Sequence, residues 1–324
     1  MTKIAKIFVF FAVALSTASP AVAGPATPVR YTISTLNAEI VLDSAVIKSQ
    51  VEYLCSEETG GRATGTEGSQ QVALWLSEQF QTFKLEPLSG TFLHGFSTPS
   101  GNFGRNVMGY IKGSAKPEKL IVVMAHFDNL GSLNGTFYPG ADSNASGVAA
   151  LLGLARMFTE MRDCGKTYSH SLLFVALDAK EQDMAGAGAL YSYLEKNGMQ
   201  PQLVVNLDQL GSTLSPVHKD RPDYLIMLCE KADTRRITLE RANVTPGLEL
   251  DLSYDYYGSK DFTTLFYRRI SDQRVFLDHG IPAVMFTSGI TLNNNKTYDT
   301  PESLDYTMLF RRIRLIFHFL HRLL

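Results

Sequence analysis

His126, Asp142, Glu181 and Asp208 come from four separate segments, and each falls at or just after the end of an apolar run. An imidazole and three carboxylates together offer the nitrogen and oxygen donors that suit Zn²⁺ or a similar divalent ion. A single Asp after a strand is commonly a helix cap or turn former. Four donors in equivalent places call for a shared role, and the pattern reads as a metal site. Asp128, two residues beyond His126, is placed to orient the imidazole from behind.

The elements that would carry these residues can be read from the same runs. Leu120-Ile-Val-Val-Met-Ala-His126 is an apolar stretch with three β-branched residues, which predicts a strand buried on both faces, as in a parallel sheet. Similar runs at 171–177 and 201–207 deliver Asp178-Ala-Lys-Glu181 and Asp208 at their C-terminal ends, the side of an open α/β sheet where ligands bind. Further strands are predicted at 224–228 and 280–286, and two more between 90 and 110. Helical spacing appears from Ser69 onward (Val72, Leu76, Phe80, Phe83), over 144–161, over 184–195 and in the closing segment, where arginines alternate with Leu, Ile and Phe. Asp142 then sits just before a helix N-terminus, where the dipole favours a carboxylate. Thr300-Pro-Glu reads as the cap of the closing helix, with proline at its first position. The aromatic stretch 254–270 is irregular and fits a pocket wall as well as a surface loop. Strand and helix alternate without an internal repeat. The expected fold class is therefore α/β, a three-layer sandwich around a mixed, mostly parallel sheet.

The N-terminus carries Lys3 and Lys6, the apolar run 7–15 and Ala21-Val-Ala23, the pattern of a cleaved secretory signal. Residues 1–23 are thus read as a signal peptide, 24–43 as an extended lead-in and 44–324 as one domain. The expected location is exported, periplasmic or extracellular. A net charge of -2 predicts no affinity for nucleic acid or a membrane surface. No later run reaches the length of a membrane span. Cys55, Cys164 and Cys229 allow at most one disulfide within the chain, and their spacing fits no zinc motif.

Five motifs in order now carry a resemblance: Ala125-His-Phe-Asp128, Gly140-Ala-Asp-Ser-Asn-Ala-Ser-Gly147, Lys180-Glu181, Asn206-Leu-Asp208, and Ser271-Asp272 with Gly280-Ile-Pro282. From about Gly60 to Tyr306 the chain resembles the zinc aminopeptidase family that includes bacterial leucyl aminopeptidases, glutaminyl cyclases and transferrin-receptor-like ectodomains. The resemblance implies a two-zinc site in which His126 and Asp208 hold one ion, Asp142 bridges and Glu181 holds the other. It also implies a cleft that includes Ser271 and Asp272, with Tyr257 and Tyr298 along its wall, and a peptide or protein N-terminus as the partner.

The departures fall at the chemistry. Where the family has a Glu as general base, this chain has Lys180. Where it has a final His ligand, this chain has Asn295, and no histidine occurs between His279 and His318. Ser143 replaces a second acidic residue. A protonated lysine cannot take a proton from a metal-bound water, and losing a general base costs about two to four orders of magnitude in rate. An asparagine carbonyl is a poor zinc ligand beside imidazole. The sequence therefore predicts at most one zinc, held by His126, Asp142 and Asp208, with the Lys180 ammonium standing in for the second ion. The favoured reading is a weakly active or inactive peptidase homologue that binds a peptide or partner. The alternative is an active metal-dependent aminopeptidase with a single-metal or altered site, Asp178, Asp183 or Asp272 replacing the base. A glutaminyl-cyclase-like transferase ranks third, because it too would want the missing Glu and His.

Overall fold

The computed structural model describes residues 28–34, 39–215, 217 and 220–324, so the signal assigned to 1–23 lies outside the described residues. The strand Lys116–His126 runs through the centre of a nine-stranded sheet. Its first four residues alternate outward and its last seven are buried on both faces, as the β-branched run predicts. Parallel to it lie His170–Leu177 on one side and Pro201–Leu207 on the other, with Ala283–Thr287 parallel beyond the latter. The register sets His126 opposite Leu177 and Leu207 opposite Phe286, so the carboxyl ends of all four strands reach one rim. Antiparallel strands close both flanks. Phe103–Ile111 pairs with His170–Leu177 and carries Leu93–Ser97 and Glu86–Pro87, while Tyr224–Leu228 pairs with Ala283–Thr287 and carries Asp251–Ser253.

Side-chain alternation divides the core into layers. Val123, Phe174, Val205 and Phe286 pack with the helices Ser44–Leu54, Glu67–Thr82, Ser146–Asp163, Arg235–Asn243 and Tyr306–Leu323. Val122, Met124, Val175 and Val204 face the opposite side, against Ala185–Lys196 and Gln273–Asp278. The structure is thus an α/β sandwich of three layers around a mixed sheet, parallel at its centre. The central helix Ser146–Asp163 is nearly all buried. Each of Leu151, Leu152, Leu154 and Phe158 contributes about 1.5–3 kcal/mol by leaving water.

Part of the stretch read as an extended lead-in is an antiparallel hairpin, Arg30–Ser34 with Glu39–Asp43. Its Leu42 enters the core against Gly153, and Asp43 caps the following helix by accepting from the Ala45 amide at 2.9 Å. Two local expectations change. Thr300-Pro-Glu opens only a short 3₁₀ turn, Pro301–Ser303; the closing helix starts at Tyr306, capped by Asp305, which accepts from the Met308 amide at 2.9 Å. The turn lets the chain place Asp299 inside before the helix begins. The irregular stretch contains a helix, Lys260–Arg268, started by Ser259. Arg235–Asn243 is helical without an apolar stripe, since only Leu239 and Ala242 are buried. All three cysteines are free thiols. Among the described residues no helix is long and apolar enough to cross a membrane.

Candidate active site

His126 ends the central strand and is fully buried. Its Nε2 lies 3.6 Å from Asp208 Oδ1 and has no hydrogen-bond partner. Its Nδ1 lies 3.1 Å from the main-chain oxygen of Asp128 and 3.6 Å from the Asp128 carboxylate. Burial opposes charging the ring, but Asp128 and Asp208 overcome it and lift the imidazole pKa to about 10. The Asp128 carboxylate directs its bonds elsewhere, accepting from the Lys180 and Glu181 amides at 3.0 Å each. It fixes the loop after the His170–Leu177 strand to the loop after the central one. Asp208 follows Leu207; burial alone would raise its pKa, yet His126, Lys180 and Ser271 hold it well below the carboxylate range. The Ser271 hydroxyl donates to its Oδ2 at 2.6 Å.

Lys180 is not turned out to solvent. Its Nζ donates to Glu181 Oε1 at 2.9 Å, and its side chain is 20% exposed. Burial works against the ammonium, but Asp208, Glu181 and Asp272 raise its pKa above the ordinary lysine value. Asp272 is fully buried at the start of the Gln273–Asp278 helix, and neither carboxylate oxygen has a hydrogen-bond partner. Burial pushes its pKa up to about 7, with His126 and Lys180 pulling the other way. Asp178 and Asp183, the other two replacement bases considered, are committed. Asp178 accepts from Thr64, Ser69 and the amides of Arg105 and Ala179. Asp183 is largely exposed and pairs with Arg274 at 3.1 Å.

Asp142 sits in a tight turn, Ala141–Ala145, ahead of the central helix. One oxygen accepts from the Gly211 amide at 2.7 Å and the Ser146 hydroxyl at 3.2 Å; the other is buried without a partner. Burial, then the neighbouring Asp299, push its pKa up to about 7. Asn295 is exposed on a turn at φ 57°. Its neighbour Asn294 is the one that faces inward, accepting from Gln209 Nε2 at 3.0 Å. Tyr298 is exposed, whereas the Tyr257 hydroxyl lies against Gly289, where any Cβ would collide with it.

Among the described residues no group of three or more His, Cys, Asp or Glu side chains is placed to hold a metal ion. His126 and Asp208 face each other, but the ammonium takes Glu181 and the Gly211 amide takes one oxygen of Asp142. The residues present thus fit an ionic cluster better than a zinc site. Three positioning residues were missed. The Asp299 carboxylate accepts from the Asp142 and Ser143 amides at 2.8 and 3.1 Å, clamping the turn. Asn144 accepts from the Gln209 amide and donates to Leu207, tying the turn to the Asp208 strand. Arg62, fully buried at φ 61°, donates to the carbonyls of Leu54, Phe127, Pro139 and Gly140. Of these only Asn144 lay within a motif noted in the sequence, Gly140-Ala-Asp-Ser-Asn-Ala-Ser-Gly147.

The titrating groups set a pH trend. Asp142 and Asp272 have folded pKa values raised above the unfolded carboxylate value, so stability falls as pH rises from about 4 through about 7. His126 is also raised, so its contribution is complete below about 6.5 and is lost as pH rises through about 10. All three slopes agree. Thermal unfolding followed from pH 5 to 9 should show Tm falling steadily, and a Tm that rises over that range would contradict these placements.

Fold and rim together define the architecture of a zinc-peptidase-type α/β protein. Residues 106–320, well over half of the sequence, match Peptidase family M28, and the chain belongs to that family. A probable zinc metalloprotease of Pyricularia oryzae is 28% identical over 227 residues, covering 63% of this chain and 44% of that protein. The chain spans about half the length of the curated relatives it matches. BSAP, a zinc aminopeptidase from Bacillus subtilis, superposes with a TM-score of 0.66 at 14% identity over 86% of this chain and 94% of that one. Porphyromonas gingivalis glutaminyl cyclase gives 0.65 at 16% identity over 87% and 98%. At such identities these two likenesses speak for the fold alone.

Proposed function

We propose that this chain is an exported M28 peptidase homologue that has lost most or all peptide-bond hydrolysis and uses its cleft to bind a peptide or protein N-terminus. The observation that carries this reading is Lys180, which occupies the family's general-base position and points its ammonium at Glu181 2.9 Å away. A group that holds its proton this firmly cannot activate water. The cluster of Asp128, Asp208, Glu181 and Asp272 outweighs Lys180 and His126 in charge at neutral pH, which favours a ligand with a cationic end such as an α-ammonium. The test uses chromogenic aminoacyl amides with and without added zinc. Turnover should stay at background for the natural chain, and Lys180→Glu should raise it by at least ~10²-fold, the lower end of a general base's contribution. Robust turnover by the natural chain, abolished by a chelator, would sink the proposal. Peptides with free N-termini should bind more tightly than the same peptides acetylated.

The second reading, an active enzyme with an altered site, draws on Asp272. It alone of the three candidate bases has buried oxygens without a partner, and its raised pKa suits proton transfer near neutrality. Asp272→Asn would then abolish any residual turnover. Export rests on the 1–23 pattern and is checked by sequencing the N-terminus of the mature protein, expected at Gly24.

A further inference from the structure

We propose that the Lys180 ammonium is the resident cation of this site, and that the chain folds and keeps its cleft in order without any zinc. The main chain at this point is fixed, because both oxygens of Asp128 accept from the Lys180 and Glu181 amides at 3.0 Å. The side chain then folds back onto Glu181 Oε1 at 2.9 Å and stays four-fifths covered. This places one positive charge among Glu181, Asp208 and Asp272. Asp272 depends on it most, since no donor reaches either of its oxygens and the charges of His126 and Lys180 are what offset its own. Burying such carboxylates without counter-charge would be costly.

A zinc ion would have to draw at least three protein donors to about 2.0–2.2 Å. Here only two of the expected donors are open, His126 Nε2 and one oxygen of Asp142; Glu181 is held by the ammonium and Asp208 by the Ser271 hydroxyl. The ammonium is attached to the chain, so it competes at a high effective concentration and no chelator can remove it. The Lys180 ammonium already meets part of the cluster's negative charge, which weakens its pull on a doubly charged ion at the same place. The expectation from sequence was at most one zinc; the proposal is that none is held. The proposal shares Lys180 with the proposed loss of hydrolysis, but the two fail separately, because bound zinc can be catalytically idle.

The experiment measures zinc content and Tm, not turnover. The full chain is incubated with ZnCl₂, desalted, assayed by elemental analysis and melted with and without EDTA. The expected result is zinc far below one per chain and a Tm that neither zinc nor EDTA moves. Lys180→Gln, which keeps a polar side chain but removes the charge, should either take up zinc toward one per chain, with a zinc-dependent rise in Tm, or melt lower than the natural chain. Lys180→Met repeats this arm with an apolar side chain should the amide prevent folding. About one zinc retained by the natural chain, with an EDTA-sensitive Tm, overturns the proposal. So does a Lys180→Gln protein that melts like the natural chain and still ignores zinc.

Discussion

Arg62→Met should lower the Tm by roughly 10 °C, corresponding to a loss of about 3–5 kcal/mol for a chain of this size. The guanidinium is fully buried, and among the described residues its donors go to four main-chain carbonyls and to no carboxylate. Two of these, Pro139 and Gly140, lead into the turn that carries Asp142, and a third, Phe127, separates His126 from Asp128. Methionine fills much of the volume but leaves these carbonyls buried and unbonded, at about 1–3 kcal/mol for each that water cannot reach. The loop has little freedom to relax, since a Cβ at the adjacent Gly61 would press into the backbone of Tyr138 and Gly131. Arg62→Lys should recover only part of the loss, because an ammonium cannot span carbonyls lying in several directions. Circular-dichroism melts of the three proteins decide it. A Tm within ~2 °C of the natural chain for Arg62→Met would mean that the carbonyls find other donors and the staple is dispensable.

Arg312→Met is expected to act with similar size on the other half of the site. Arg312 lies on the closing helix, wholly buried, with its ring-facing side over Tyr224 at 4.9 Å. It donates to the carbonyls of Leu210 and Ser212 at 2.8 Å and of Tyr224 at 2.9 Å. Leu210 and Ser212 flank Gly211, whose amide holds Asp142, so the arginine fixes the segment that follows Asp208. Burial pulls its pKa below the usual arginine value, but Tyr224 and Asp142 favour the charge, and a guanidinium stays protonated. Removing it should cost about 3–5 kcal/mol. It should also raise the Asp142 pKa further, because Arg312 is one of the groups that lower it. The fall of Tm with pH should therefore steepen between about pH 5 and 9 in Arg312→Met. An unchanged pH slope with a lowered Tm would assign Arg312 a packing role only.

Neither arginine could be read from local pattern. In the closing helix Arg311, Arg312, Arg314 and Arg322 stand among apolar residues, and a helical stripe of Leu, Ile and Phe predicts that every arginine lies on the wet face. Only contact with carbonyls on the far loop shows that Arg312 is inside. Arg62 lies in a glycine-rich loop that reads as surface turn. Asp299, just before Thr300-Pro-Glu, gives no local sign that it clamps the Asp142 turn.

What the sequence determined by itself is the sheet and its rim. Strands buried on both faces are written as runs of β-branched and apolar residues, and each run ends where polar residues begin, so His126, Asp178 and Asp208 fall at strand ends whatever the rest of the chain does. The lysine at 180 and the asparagine at 295 were equally plain, since a residue type needs no coordinates. The tertiary structure alone decided how these groups are paired. Lys180 turns to Glu181 instead of to water, Asp142 gives an oxygen to Gly211, and Asn295 stands outside. Partners in a buried polar cluster are chosen by distance and solvation among segments far apart in the chain, and spacing along a sequence carries neither quantity.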